Sequence, residues 1–218
     1  MKVVIDGNIG SGKTTQLDLL EKKGHLVVRE PIDQWPLDDF YKDPKRWGFY
    51  FQMAVLKSLR PVKTTRPVIY ERCLMSSKWV FWANMVKKGI VTKGEDILYS
   101  KFYSEYAWYP DLYIYLSKNL DIAWEHIQAR NQAGDSGVTR EYLEELDGHY
   151  KKMILNVPCK IHVINANKSV DEIHKEICDI LVENELLVSN AQRNKMQKKG
   201  CGGWKMFNSS ISSMCYMS

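Results

Sequence analysis

The chain has 218 residues, 44% apolar and 26% charged, an ordinary composition for a soluble domain large enough to bury a core. Its longest apolar stretches, such as residues 79–83, are far too short to cross a bilayer. The formal net charge of +5 comes entirely from Arg193, Lys195, Lys198, Lys199 and Lys205, so the body is neutral and lacks the basic face that a large nucleic-acid footprint needs.

Residues 2–6 read as a first strand around Val3-Val4-Ile5, and Gly-Asn-Ile-Gly-Ser-Gly-Lys-Thr follows directly at 7–14. This is the phosphate-binding pattern G-x-x-x-x-G-K-[ST] between a strand and a helix predicted over 14–23. Gly7, Gly10 and Gly12 let the backbone turn its N–H groups onto a polyphosphate, which also meets the positive end of the helix. Gly7, Asn8, Ile9, Gly10, Ser11, Gly12, Lys13, Thr14 and Thr15 are therefore assigned to a nucleotide, with Lys13 on its terminal phosphates and the Thr14 hydroxyl on Mg²⁺.

A second strand is expected over 25–29, ending at Glu30-Pro31, where the proline stops any helix. Glu30 at a strand end can take a proton from an attacking hydroxyl, and Trp35 can wall a flat substrate; a turn acid beside a core tryptophan is the plain alternative. A helix follows over 45–60, then a short strand, Val68-Ile69-Tyr70. Glu71-Arg72 comes next, suited to Mg²⁺ and to a developing phosphoryl charge, or to a surface ion pair. Further helices are predicted over 73–88, 95–107, 119–131, 140–154 and 169–185, with strands at 112–116 and 161–164. Arg130 ends one helix ahead of a glycine-containing loop at 132–138, as in a lid that closes over phosphates; helix C-terminal charge compensation explains an arginine there equally well.

Strands alternating with helices imply an α/β fold with a central five-stranded parallel sheet flanked by helices and a helical lid, the ligand lying beyond the strand carboxyl ends. That domain is expected over 1–186, followed by a basic, disordered tail over 187–218. A phosphate loop starting at residue 7 leaves no room for a leader in front of it. Five cysteines without CxxC spacing point to a reducing, cytoplasmic setting without a metal cluster.

Taken together, the phosphate loop, Glu30-Pro31-Ile32-Asp33-Gln34-Trp35, Tyr41-Lys42-Asp43-Pro44-Lys45-Arg46-Trp47, Phe51-Gln52, Glu71-Arg72 and Glu141-Tyr142-Leu143-Glu144-Glu145-Leu146 resemble the deoxyribonucleoside kinases, a P-loop kinase fold. The resemblance implies ATP- and Mg²⁺-dependent phosphorylation of a deoxynucleoside 5′-hydroxyl, no nucleic-acid or membrane partner, and a homodimer. It makes Glu30 the general base, Arg72, Lys13 and Arg130 the catalytic cations, and Thr14 with Glu71 the metal ligands. Gln52 would bond the base between Trp35 and Phe81, in a pocket with Phe51, Val55, Leu59, Ser77 and Met85, while Tyr41 and Asp135 would hold the 3′-hydroxyl.

Purine- and cytidine-preferring members carry an Arg and an Asp where this chain has Leu59 and Ser77, so thymidine and deoxycytidine are expected ahead of purines. His126 and Gln132 stand where members carry further lid arginines, with Arg140 nearby as a replacement, and Cys73, after Glu71-Arg72, reads as a packing residue. The alternatives are a thymidylate kinase, or a weakly catalytic member acting as a binding subunit.

Overall fold

Short apolar runs flanked by turn residues become the strands because they can be buried on both faces. The computed structural model describes residues 1–130, 134–135 and 137–184. Its strands are β1 (Lys2–Asp6), β2 (Leu26–Val28), β3 (Val68–Glu71), β4 (Leu112–Ser117) and β5 (Lys160–Asn165), all parallel in the order β2-β3-β1-β4-β5. Val3, Val4 and Ile5 are fully buried at its centre, whereas the three residues of edge strand β2 are half-buried.

The helices are α1 (Lys13–Lys22), α2 (Leu37–Lys42), α3 (Pro44–Ser58), α4 (Leu74–Ser76), α5 (Ala83–Lys87), α6 (Lys93–Tyr106), α7 (Leu120–Arg130), α8 (Arg140–Ile154) and α9 (Val170–Glu183). Two features depart from the expected helices. A 3₁₀ turn, Ile32–Gln34, and α2 fill a stretch that carried no assignment, and a π-helical segment, Ser77–Trp82, joins α4 to α5 within the helix predicted over 73–88. Chain contacts separate Met1–Ile177, which carries the sheet, from Cys178–Ser218. The predicted tail over 187–218 lies outside the described residues.

Right-handed crossovers set the layers. The connection from β1 to β2 runs one way along the sheet and those from β2 to β3, β3 to β4 and β4 to β5 the other way, so α1 lies on one face and α3 to α8 on the other. The start of α9 joins α1, with Gln16 donating to the Val170 carbonyl at 3.0 Å and its side-chain oxygen 3.1 Å from His174 Nδ1. The larger core lies on the opposite face, where Val4, Tyr70 and Tyr113 meet Leu56, Trp82 and Tyr150.

Candidate functional site

Sheet register assembles the site. Val4, Tyr70 and Val28 form one row across β1, β3 and β2. Two residues further along each chain stand Asp6, Arg72 and Glu30. Side chains alternate along a strand, so all three continue the row on the side where Val4 and Tyr70 enter the larger core. The Arg72 N–H bonds the Ile5 carbonyl at 3.1 Å, carrying the ladder past the end of β3. Arg72 is the one non-glycine residue with positive φ among the described residues, at 58°, a conformation that bends the chain there.

The phosphate loop is closed tightly. A Cβ on Gly10 would come within 2.4 Å of the Ala123 carbonyl oxygen, so the close approach of α7 to the loop requires glycine, as does its φ of 78°. Asn8 donates from Nδ2 to the Leu143 carbonyl at 2.9 Å and accepts from the Ile9 N–H, so its side chain fastens the loop to α8. Lys13 is buried, with Nζ 3.0 Å from the carbonyl oxygens of Gly7 and Asn8. Burial, reinforced by the Arg72 charge, pushes the Lys13 ammonium down to about 8, against the pull of Glu71, Glu30 and Asp6. The buried Ser11 hydroxyl has no hydrogen-bond partner among the described residues. A buried cation and the glycines at 10 and 12, which line the cavity, suit a polyphosphate. Beside them, Thr14 Oγ1 lies 3.4 Å from Glu71 Oε1, a hydroxyl–carboxylate pair of hard oxygens that fits Mg²⁺.

Arg72 is the hub. It pairs with Glu30 through Nη1 and donates from Nη2 to the Gly7 carbonyl at 3.1 Å and from Nε to the Tyr150 hydroxyl at 3.1 Å. Its guanidinium carbon lies 5.2 Å from the centre of the Phe81 ring. Glu30 is 6% exposed at its side chain, and burial pushes its carboxyl up to about 7 despite the opposing pull of Arg72. A carboxylate at that value accepts protons at neutral pH.

A cavity of about 730 Å³ opens over these groups and runs on to the aromatic wall. Ile9, Gly10, Gly12, Lys13, Thr14, Thr15, Glu30, Glu71 and Arg72 line one end, and Trp35, Phe51, Gln52, Val55, Leu59, Ser77 and Phe81 the other. Gly7, Asn8 and Ser11 do not line it; they build the loop from behind. Met85, expected in the pocket, does not line it either: it is 2% exposed and packs under Gly48. The π segment places Ser77 and Phe81 on the cavity together. Ser77 Oγ donates to Gln52 Oε1 at 3.1 Å and lies 2.9 Å from the Tyr99 hydroxyl, so Gln52 is held from behind. Trp35 Nε1 donates to Ser58 Oγ at 3.0 Å, and its ring meets Phe51 edge-on at 6.0 Å.

Tyr41, His126, Arg130 and Asp135 close the rim. Arg130 grips Asp135 with two bonds, Nε to Oδ2 at 2.7 Å and Nη2 to Oδ1 at 2.6 Å, so residues assigned separate duties are paired with each other. Gly137 leaves room for the Tyr41 ring, since a Cβ there would lie 1.9 Å from it. Burial, with Asp135 adding to it, pushes the Tyr41 phenol up to about 12, so it stays a neutral hydrogen-bonding group. Arg140 is no substitute for a lid arginine: it pairs with Asp121 and Glu144 away from the cavity. Gln132 lies outside the described residues. Cys73 is fully buried, and burial holds its thiol far above the ordinary range, as a packing residue should be.

The sequence reading missed Asp6, Tyr113 and Tyr150. Asp6 accepts from the Gly7 N–H at 2.7 Å, from Tyr150 at 2.9 Å and from Tyr113, and lies 3.4 Å from Arg72 Nε. The signal for Asp6 was available: it ends β1 in the strand-end row that holds Glu30 and Arg72.

A family model described as deoxynucleoside kinase matches residues 3–189. A protein of Invertebrate iridescent virus 3 is 31% identical over 82% of this chain and 95% of its own length. A deoxyadenosine kinase of Dictyostelium discoideum is 31% identical over 77% of this chain and 72% of its own length. Other relatives carry the names of deoxycytidine and thymidine kinases. Among solved structures, a deoxyadenosine kinase from M. mycoides with dCMP and a flexible dCDP bound superposes with a TM-score of 0.77 at 26% identity, covering 84% of this chain and 99% of that one.

Proposed function

The chain belongs to the deoxynucleoside kinase family and is a kinase, and we propose that it transfers the γ-phosphoryl group of ATP to the 5′-hydroxyl of a deoxynucleoside, accepting thymidine and deoxycytidine ahead of purines. One observation carries the reading: the Glu30–Arg72 pair shares a cavity with Lys13 and with the aromatic wall around Gln52.

In this scheme Glu30 takes the 5′-hydroxyl proton as that oxygen bonds to the γ-phosphorus and the bond to the bridging oxygen breaks. Arg72 and Lys13 stabilise the charge on the transferring group, and Arg130 closes on it from the lid. Thr14 and Glu71 would hold Mg²⁺, which when bound spreads the phosphate charge. Trp35 and Phe81 flank the base, Gln52 bonds its edge, and Tyr41 with Asp135 recognises the 3′-hydroxyl. The neutral Leu59 and Ser77 support the pyrimidine preference, because no buried charge awaits a partner beside the thymine methyl.

We assign the active species to a homodimer in a reducing, cytoplasmic compartment. A groove lined by Tyr50, Met53, Phe102 and Tyr106 of α3 and α6 supports the first, and the buried thiol of Cys73 accords with the second.

The test is an assay of the purified chain with ATP, Mg²⁺ and, separately, thymidine, deoxycytidine, deoxyadenosine, deoxyguanosine and thymidylate. Efficient use of the two pyrimidine nucleosides is expected. Phosphorylation of thymidylate alone would replace the reading with a monophosphate kinase, and a preference for purines would overturn the pocket assignment. Sedimentation at assay concentration tests the dimer: a monomer under active conditions would overturn it.

A further inference from the structure

Beside the contact of Asp6 with Arg72, at the third corner of a triangle, sits a hydroxyl with no freedom of direction. Arginine can only donate and a carboxylate only accept. The Tyr150 oxygen therefore accepts from Arg72 Nε–H at 3.1 Å and gives its own proton to Asp6 Oδ1 at 2.9 Å. All three groups are buried, and Tyr150 is fully so. Burial holds its phenol far above the ordinary range, so the proton stays on the ring oxygen.

Asp6 and Glu30 compete for one guanidinium. Asp6 Oδ1 lies only 3.4 Å from Arg72 Nε, while Glu30 holds Nη1. The Tyr150 hydroxyl fills the Nε position and occupies the Asp6 oxygen that faces it. We propose that Tyr150 is a positioning residue for Arg72: by taking the Nε–H and a lone pair of the Asp6 oxygen that faces it, the hydroxyl holds the guanidinium with Nη1 on Glu30 and Nη2 on the Gly7 carbonyl. The proposal rests on the phosphotransfer role of Arg72 given above, and it adds a reason for that arginine's orientation.

The same residue ties the lid side of the molecule to the strand ends. Tyr150 belongs to α8, whose first turn is capped by Thr139 just past the lid loop, and Leu143 of α8 receives the Asn8 side chain of the phosphate loop. Tyr150 packs against Tyr115 at 5.5 Å and edge-on to Phe81 at 6.4 Å. Those ring contacts survive replacement by phenylalanine, so Y150F removes the hydroxyl and little else.

A double-mutant cycle tests the proposal. In the wild-type background, Y150F should lower turnover on the order of 10-fold, as Arg72 moves toward Asp6. In an R72K background, which has no Nε–H to position, the same change should cost less than about 2-fold. Equal costs in both backgrounds would overturn the proposal, because a general packing defect is indifferent to residue 72. A readout independent of substrate accompanies it. The Nε–H resonance of Arg72, identified by its loss in R72K, should move downfield in Y150F, as its bond passes from a hydroxyl to the Asp6 carboxylate. An unchanged resonance position would also overturn the proposal. A wild-type chain that phosphorylates no nucleoside would instead remove the functional reading, and the resonance would still decide the role of Tyr150.

Discussion

Arg72 and Arg130 line the same cavity but are held in different ways. Arg72 is buried among Glu30, Gly7, Tyr150 and Asp6, on a backbone bent to positive φ. Arg130 stands at the end of α7 with 39% of its side chain exposed, gripping Asp135 across a short loop. The first arrangement is fixed before any ligand arrives. The second joins a half-exposed arginine to a carboxylate that is 11% exposed, and under the proposed function a phosphate would take the place of that carboxylate. Under the proposed function the phosphate end is preorganised, whereas Arg130 would change partners when substrate binds.

R72A should have the largest effect of the substitutions at these two arginines. Loss of the hub leaves Asp6 and Glu30 buried without their cation, so the folded state should lose about 3–5 kcal/mol along with catalysis. Chemical denaturation of R72A beside the wild type checks this, and an unchanged midpoint would mean that the pocket rearranges freely. R130A should separate the two effects, lowering turnover on the order of 10³-fold while moving stability by less than about 0.5 kcal/mol. A stability loss as large as that of R72A would erase the distinction between the two regions.

Acid should act through Glu30. Burial raises Glu30 to about 7, and only the deprotonated carboxylate can accept the hydroxyl proton. kcat/KM should therefore fall about tenfold per unit below that value and level off above it. A flat profile from pH 5.5 to 8 would assign the proton to another group. The smallest effect is on choice of base. S77D combined with L59R should move the thymidine-to-deoxyadenosine ratio of kcat/KM on the order of 10-fold toward the purine. An unchanged ratio would show that the base lies elsewhere.

Strands and phosphate loop were legible because burial on both faces leaves continuous apolar runs, and because the loop needs glycine at fixed places. Lys13 was legible from the phosphate-loop pattern and Glu30 and Arg72 as strand-end residues, and the register then brings the last two into contact. The Asp6–Tyr150 link was not legible, because Tyr150 lies 144 residues away and sits on the apolar face of α8 like any core aromatic. The π segment was hidden because one widened turn barely alters the apolar period of the helix around it. The 3₁₀ turn and α2 were hidden in a run of prolines and aspartates that reads as loop. Lid pairing escaped because Arg130 and Asp135 each had a ligand to explain them, and nothing in the sequence indicated that they would meet.

In the proposed reaction Glu30 serves as the base within a cavity that it shares with Lys13. Its most direct test is E30Q, assayed by single-turnover rate and, in parallel, by equilibrium binding of thymidine or of whichever nucleoside the wild type uses best. The account predicts a rate on the order of 10²- to 10³-fold lower with affinity changed by no more than a few-fold. A rate that stays within a factor of two of the wild type would contradict it.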